Sequence, residues 1–219
     1  MRVNKFIASA SNLSRRKADE AIAAGHVTIN GKVAEQGQTV SVTDVVALQG
    51  HTLTAPVSNT TVMLNKPVGF VVSRSGQGSR TIYDLLPVEY HHLNPVGRLD
   101  KDSSGLLLLT DDGNLANQLT HPSYNKQKVY HVTLDKPLRP DDLGKIEQGV
   151  QLDDGHLSKL GISALETPES AYEVRLSEGR NRQIRRTFEA LGYTVETLHR
   201  TQFGDYQLGS LRVGAYTPL

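Results

Sequence analysis

The chain of 219 residues contains neither cysteine nor tryptophan. Without cysteine it can form no disulfide bond and no thiolate metal site. Its longest aliphatic run, Leu106–Leu109, is far shorter than the roughly 20 residues that span a bilayer. The first residues, Met1–Ile7, lack the apolar core of a signal peptide. We therefore expect a cytoplasmic protein without a membrane segment.

The chain also has no large excess of positive or negative charge, since its formal net charge is only +1. Apolar residues make up 37% of the chain and charged residues 21%, which is typical of a globular protein. A nucleic acid would therefore have to be bound by local basic patches. The sequence contains two, Arg15–Lys17 and a group of four arginines, Arg180, Arg182, Arg185 and Arg186.

Residues 1–48 have the pattern of a compact unit. The apolar residues of its first segment are spaced as in a helix, at Val3, Phe6, Ile7 and Ala10. Ser14 is placed to cap a second helix. The pair Asn30-Gly31, between alternating apolar residues, predicts a tight hairpin.

A second, larger unit is predicted at residues 62–219, after a linker at 49–61 that is poor in periodic apolar residues. Its strand candidates are Val62–Leu64, Phe70–Ser73, Gly105–Thr110, Val129–Leu134, Tyr172–Leu176, Tyr193–Leu198 and Leu211–Tyr216. Its helix candidates are Asn114–Thr120, Pro140–Gln148 and Asn181–Leu191, the last capped by Asn181. Strands and helices do not alternate regularly, so a doubly wound parallel sheet is not expected.

Three cations open the second predicted helix, where positive charge opposes the helix dipole. A nearby anion such as RNA phosphate would explain them, and a solvated basic turn is the alternative. The run Ser14–Lys32 resembles the RNA-binding module named after ribosomal small-subunit protein four. That resemblance implies phosphate contacts by Lys5, Arg15, Arg16, Lys17 and Lys32.

An acidic loop precedes the aliphatic strand in the run Gly97–Thr110. Asp100 in this loop can be aimed at a substrate, or it can cap a turn or pair with Arg98. The order Asp100-Lys101-Asp102 also occurs in phosphoryl-transfer enzymes of the haloacid dehalogenase type. There the strand precedes the aspartates, whereas here it follows them, which disfavours that interpretation.

Four segments resemble the pseudouridine synthase family, in the branch that modifies ribosomal RNA through single-chain enzymes. In chain order they are Leu64–Gly69, Gly97–Thr110, Lys128–Tyr130 and Glu178–Arg186. Their order, behind the RNA-binding module, is that of the family. The resemblance implies an α+β fold with a mixed, largely antiparallel sheet, preceded by a small helix-helix-hairpin domain.

The resemblance further implies three catalytic residues, Asp100, Tyr130 and Arg185. Asp100 matches the essential carboxylate, and Arg185 would pair with it and keep it ionised. Tyr130 would stack on uracil and take part in proton transfer through its hydroxyl, although by position alone it could be a core aromatic. Asp102 is expected to structure the loop. Further basic residues expected on RNA are Lys66, Arg98, Arg180, Arg182 and Arg186.

The implied substrate is a uridine of ribosomal RNA, in the large subunit rather than the small, flipped out of its stack. Moving uracil from a nitrogen to a carbon linkage is redox-neutral, so we expect no cofactor. The eight histidines lack ligand spacing, so no metal is expected either. We expect a monomer. The alternative is a non-catalytic RNA-binding ribosome assembly factor that keeps the fold.

Overall fold

The computed structural model describes residues 1–11, 13–54 and 59–219. It divides into two compact units, Met1–Asn59 and Thr60–Leu219. Within the described residues no helix is long and apolar enough to cross a membrane.

The amino-terminal unit combines two helices with a four-stranded antiparallel sheet of order β2-β1-β3-β4. Its elements are α1 (Val3–Ala10), α2 (Arg15–Ala23), β1 (Val27–Ile29), β2 (Lys32–Val33), β3 (Val46–Leu48) and β4 (His51–Thr52). Both predicted helices are confirmed, and their apolar stripes meet in one core that includes Ile7 and Ile22. The Ser14 hydroxyl accepts a hydrogen bond from the Lys17 amide at 3.2 Å, which confirms the predicted cap.

The predicted hairpin is confirmed as well, because Asn30 and Gly31 have positive φ values of 51° and 79° between β1 and β2. A second turn of this kind, at Gln49 and Gly50, joins β3 to β4. The first residues of the expected linker therefore belong to the sheet. Residues 55–58 of that linker lie outside the described residues.

The second unit is built on one nine-stranded sheet. Its strands follow the order β11-β12-β8-β13-β7-β5-β15, with β14 beside β13 and β6 beside β7. The elements are β5 (Thr61–Lys66), β6 (Asn94–Pro95), β7 (Ser104–Thr110), α3 (Gly113–Thr120), β8 (Lys128–Leu134), α4 (Pro140–Gln148), β9 (Val150–Gln151), β10 (Leu157–Ser158), β11 (Gly161–Ala164), β12 (Ala171–Leu176), α5 (Gln183–Glu189), β13 (Val195–Phe203), β14 (Tyr206–Gln207) and β15 (Tyr216–Pro218).

Strand β13 joins the two halves of the sheet, since it pairs antiparallel with β8 and parallel with β7. The other described pairs of this sheet are antiparallel. The expected α+β class with a mixed, largely antiparallel sheet is thus confirmed. Strands β9 and β10 form a separate hairpin.

Strand β7 is buried on both faces, which explains its unbroken aliphatic run. Leu107 and Leu109 pack into one core cluster, and Leu106 and Leu108 pack into another. All four side chains are fully buried. The loop that precedes β7 is therefore anchored to a buried strand of the sheet.

Two predicted strands are wrong. In Phe70–Ser73 only Val71 makes a bridge, with Thr81, before the chain enters a Ser- and Gly-rich loop. Most of Leu211–Tyr216 is a turn held by Asn65, whose side chain donates to the Leu211 carbonyl at 2.7 Å. β15 therefore begins only at Tyr216.

The other strand and helix candidates of this unit are confirmed, with boundaries that shift by a few residues. The predicted cap of α5 is wrong. Arg182, in the left-handed region with φ 48°, precedes α5 in place of Asn181 and makes no side-chain cap.

Candidate active site

Asp100 lies in the tight loop that leads into β7. The Ser103 amide donates to the Asp100 carbonyl at 3.1 Å and closes a turn around Lys101 and Asp102. The Leu99 side chain is buried and fixes the loop from behind. The Asp100 side chain is 39% exposed and lines a cavity of about 830 Å³. The carboxylate is thus held on a rigid loop and remains accessible.

Lys66, at the end of β5, supports this loop from inside the protein. Its ammonium donates to the main-chain carbonyls of Pro67 at 3.1 Å, Asp100 at 3.0 Å and Ser103 at 2.6 Å. Burial lowers the pKa of Lys66 to about 8, with the charges of Asp100 and Asp102 opposing the shift. The predicted phosphate contact is wrong, because a fully buried amine occupied by three carbonyls cannot reach RNA.

Two arginines, Arg182 and Arg185, lie beside the acidic side chains of this loop, and their partners differ from those expected. Arg182 Nη1 lies 3.7 Å from Asp100 Oδ2 and 3.1 Å from both carboxylate oxygens of Asp102. Arg185 Nε lies 3.3 Å from Asp102 Oδ2, and its terminal nitrogens donate to the carbonyls of Asp102 and Val195. The expected pair between Arg185 and Asp100 is therefore wrong in this structure, because these bonds hold Arg185 at Asp102.

Asp102 consequently receives more positive charge than Asp100 does. Burial opposes ionisation of Asp102, but the hydrogen bond from Arg182 and the charges of Arg185 and Arg182 outweigh it and lower its pKa. Asp102 is therefore an ionised anchor that ties the loop to α5. It leaves Asp100 as the freer carboxylate.

The cavity beside Asp100 lies between its loop, strands β8 and β13, and the segment before α5. Tyr130 of β8 is only 8% exposed and lines the same cavity, so the structure brings it together with Asp100. Apolar walls come from Leu176, Ile184, Leu198 and Phe203. A cavity with apolar walls, two aromatic rings and the Asp100 carboxylate can accept a planar, uncharged base.

The basic residues that were expected on RNA have different surroundings. Arg98, Arg180 and Arg182 are exposed and line the cavity. Arg186 instead donates to Asp153 and lies 2.9 Å from Asp154, and its contact with RNA stays a prediction. Its charge is already balanced by two carboxylates.

Two cations of the cavity were missed by the sequence analysis. Arg200 is 1% exposed, and its Nε donates to the Leu106 carbonyl at 2.8 Å. Lys128 donates to the carbonyls of Ser177 and Glu178, both at 3.3 Å. No local signal marks Arg200 as buried, because six of the nine residues of β13 are polar.

In the amino-terminal unit, the predicted phosphate contacts lie on the surface of α2 and of the hairpin. Arg15, Arg16 and Lys17 occupy the first turn of α2 and are exposed. Lys32 is exposed on β2, and Lys5 on α1 is half-buried. Their contact with RNA stays a prediction. No group of three or more His, Asp or Glu side chains in the described parts of the chain could hold a metal ion.

The RNA pseudouridylate synthase family model matches residues 60–190, and the S4 domain model matches residues 1–46. The chain belongs to the RNA pseudouridylate synthase family and carries an S4 domain at its amino terminus. Both resemblances seen in the sequence are therefore confirmed, and the enzyme class is that of a pseudouridine synthase.

The relatives include synthases named for the large ribosomal subunit and for the small one. The chain is 38% identical to the ribosomal large subunit pseudouridine synthase B of Bacillus subtilis, over 97% of this chain and 89% of the relative. It is also 38% identical to the ribosomal small subunit pseudouridine synthase A of Vibrio vulnificus, over 99% of this chain and 94% of the relative. A crystal structure of a pseudouridylate synthase superposes with a TM-score of 0.71 at 35% identity, covering 100% of this chain and 96% of the other.

Proposed function

We propose that the protein isomerises a uridine of ribosomal RNA to pseudouridine, with Asp100 as its essential carboxylate. The observation that carries this proposal is the placement of Asp100 and the buried Tyr130 on one cavity, edged by exposed arginines. Relatives named for large- and small-subunit RNA support ribosomal RNA as the substrate. Their equal identities do not separate the subunits, and we favour the large subunit because the sequence motifs are most similar to that branch.

The reaction breaks the bond between uracil N1 and ribose C1′, turns the base, and joins C5 to C1′. A proton leaves C5 and N1 gains one, so no electrons are exchanged with a cofactor. Asp100 acts as nucleophile or base while the uracil is detached. Arg182, 3.7 Å away, balances its charge. Tyr130 offers a flat face for the uracil and a hydroxyl for proton transfer.

The target uridine must leave its stack to reach Asp100. A cavity of about 830 Å³ lies within the range of ligand pockets and has room for a flipped nucleotide. Arg98, Arg180 and Arg182 at its edge bind the flanking phosphates, and Lys5, Arg15, Arg16, Lys17 and Lys32 bind phosphates through the S4 domain. The enzyme acts as a monomer in the cytoplasm.

Carbodiimide mapping of deproteinised precursor ribosomal RNA tests the reaction. Wild type should create pseudouridine at a specific position, and Asp100→Asn should bind the RNA without modifying it. Asp205→Asn is a matched control, since Asp205 pairs with Lys126 and its side chain is 86% exposed. Wild type that binds the RNA and leaves no pseudouridine would support the alternative, a non-catalytic assembly factor.

The choice of subunit needs a separate comparison. Pseudouridine maps of ribosomal RNA from cells with and without the gene should differ at a position of the large-subunit RNA. A difference confined to small-subunit RNA would overturn the preferred target and leave the reaction itself intact.

A further inference from the structure

Two cations share one aromatic ring in the wall of the cavity. The guanidinium carbon of Arg200 lies 4.8 Å from the centroid of the Phe203 ring, and the Lys128 ammonium nitrogen lies 5.3 Å from it. All three residues line the cavity that Asp100 and Tyr130 line. The reaction chemistry above uses none of them. We refer to them as the Lys128–Phe203–Arg200 cluster.

The positive charge of this cluster is not balanced. Arg200 is buried, its Nε bonds a carbonyl, and its Nη2 is buried without a hydrogen-bond partner. Within the described parts of the chain, no carboxylate oxygen lies within 4 Å of either cation. Burial and the charge of Arg200 lower the pKa of Lys128, while the more distant Glu178 opposes the shift. Burying charge without a counter-ion costs free energy, which a bound anion would offset.

The cluster adjoins the position of the proposed uracil contact. Arg200 of β13 lies directly opposite Tyr130 of β8 in the antiparallel register. Lys128 is two residues before Tyr130 on β8, so both side chains project from the same face of the strand. An anion held by the cluster would therefore lie next to a base held against Tyr130.

We propose that the Lys128–Phe203–Arg200 cluster binds an RNA phosphate adjacent to the target uridine. This inference rests on the proposed function, because it assigns the cluster to the same flipped nucleotide. A phosphate diester brings a full negative charge and several acceptor oxygens, whereas a uracil carbonyl brings no charge to balance two cations. A planar guanidinium and an ammonium group are both suited to phosphate oxygens. The cluster would thus hold the backbone while Tyr130 contacts the base.

Uridine 5′-monophosphate and uridine, titrated separately into the full chain and followed by NMR, test this proposal. At low salt, wild type should bind the monophosphate about tenfold more tightly than the nucleoside, a factor expected for one charge-assisted contact. The ratio should fall towards one in Lys128→Met and in Arg200→Met. It should also fall at high salt, since screening weakens the phosphate contact.

Matched controls lie outside the cavity. Lys136 is also a lysine over an aromatic ring, 5.2 Å from the centroid of Tyr193, and Lys136→Met should keep the preference for the phosphate. Arg175 pairs with Glu173 on β12, and Arg175→Met should keep it too. Because Arg200 is buried, thermal unfolding must show that Arg200→Met is folded. If Arg200→Met does not fold, Lys128→Met decides the question, because Lys128 is only half-buried.

Equal binding of the two probes by wild type, or an undiminished preference in Lys128→Met, would overturn the phosphate site. Its failure is separable from that of the reaction. If the protein prefers the monophosphate but forms no pseudouridine in ribosomal RNA, the phosphate site is supported and the proposed function is refuted. If the protein forms pseudouridine but shows no such preference, the proposed function is supported and the phosphate site is refuted.

Discussion

The Lys66 ammonium donates at 3.0 Å to the main-chain carbonyl of Asp100, whose carboxylate lines the cavity. The same ammonium bonds the carbonyls of Pro67 and Ser103, so one buried amine fixes both ends of the turn that presents Asp100. Its pKa of about 8 is the result of burial and brings the loss of its proton close to physiological pH.

Activity should therefore decline as pH rises through about 8, because neutral Lys66 has one N–H donor fewer for its three carbonyls. Initial rates of pseudouridine formation, measured from neutral to strongly alkaline pH, should show this decline. Lys66→Met should lose most of the activity, and its remaining activity should not decline over this pH range. Lys101→Met is the control, since the exposed Lys101 ammonium contacts only the Ser79 hydroxyl in the described structure. A wild-type profile that stays flat across this range would contradict the prediction.

The lowered pKa of Lys66 also predicts a change in stability with pH. The unfolded chain holds this proton up to about 10.5 and the folded chain only up to about 8, so unfolding takes up a proton between these values. The free energy of unfolding of wild type minus that of Lys66→Met should therefore grow with pH across this window and stay constant below it. Urea unfolding of both proteins at several pH values checks this, and a difference that shrinks would contradict it.

Local sequence patterns predicted most elements but not the partners of the site's charges. Spacing and capping located α1 to α4 closely, and the run Leu106–Leu109 located strand β7. The burial of Lys66 and the pairing of Arg185 with Asp102 depend on how β5 and α5 pack around the loop. Tertiary contacts of this kind have no local signature. Motif order could therefore single out Asp100 as the candidate carboxylate without showing which cation lies beside it.

Arg182 and Arg185 should differ in what they contribute. Arg182 is 43% exposed, so Arg182→Met should change the free energy of unfolding by less than about 1 kcal/mol. Activity should nevertheless fall steeply, because Arg182 Nη1 is the cation nitrogen at 3.7 Å from Asp100. Arg185 is 11% exposed and bonds two carbonyls, so Arg185→Met should cost about 2–3 kcal/mol and lower activity as well. Urea unfolding and initial rates measured on the same preparations would contradict this distinction if Arg182→Met were the less stable protein.

Gly105 is required where β7 runs beside β13. Its φ is 106°, and a Cβ atom there would lie 2.3 Å from the Arg200 carbonyl oxygen and 2.5 Å from the Arg200 nitrogen. Gly105→Ala should therefore destabilise the protein by more than about 3 kcal/mol, since the backbones of two central strands would have to separate. Gly113→Ala is the matched control, because no atom lies within 4 Å of a Cβ added at this helical position. Thermal unfolding that gave equal midpoints for the two variants would refute this account.

The salt dependence of RNA binding should distinguish Arg16 from Arg186. Arg16 is exposed in the first turn of α2, where its charge opposes the helix dipole, whereas Arg186 is paired with Asp153 and Asp154. For precursor ribosomal RNA, Arg16→Ala should reduce the slope of log K against log salt by about 0.7–0.9, the loss of one phosphate contact. Its stability should hold or rise by a few tenths of a kcal/mol, because alanine favours the helix.

Arg186→Ala should show the opposite pattern. Its slope should equal that of wild type, because its guanidinium is already neutralised by two carboxylates. Its free energy of unfolding should fall, since Asp153 and Asp154 lose their shared cation. Filter binding over a range of salt concentrations, with urea unfolding alongside, measures both quantities. An Arg16→Ala slope equal to that of wild type would mean that the first turn of α2 does not contact RNA phosphate, and the exposed cations there would then be a solvated basic turn.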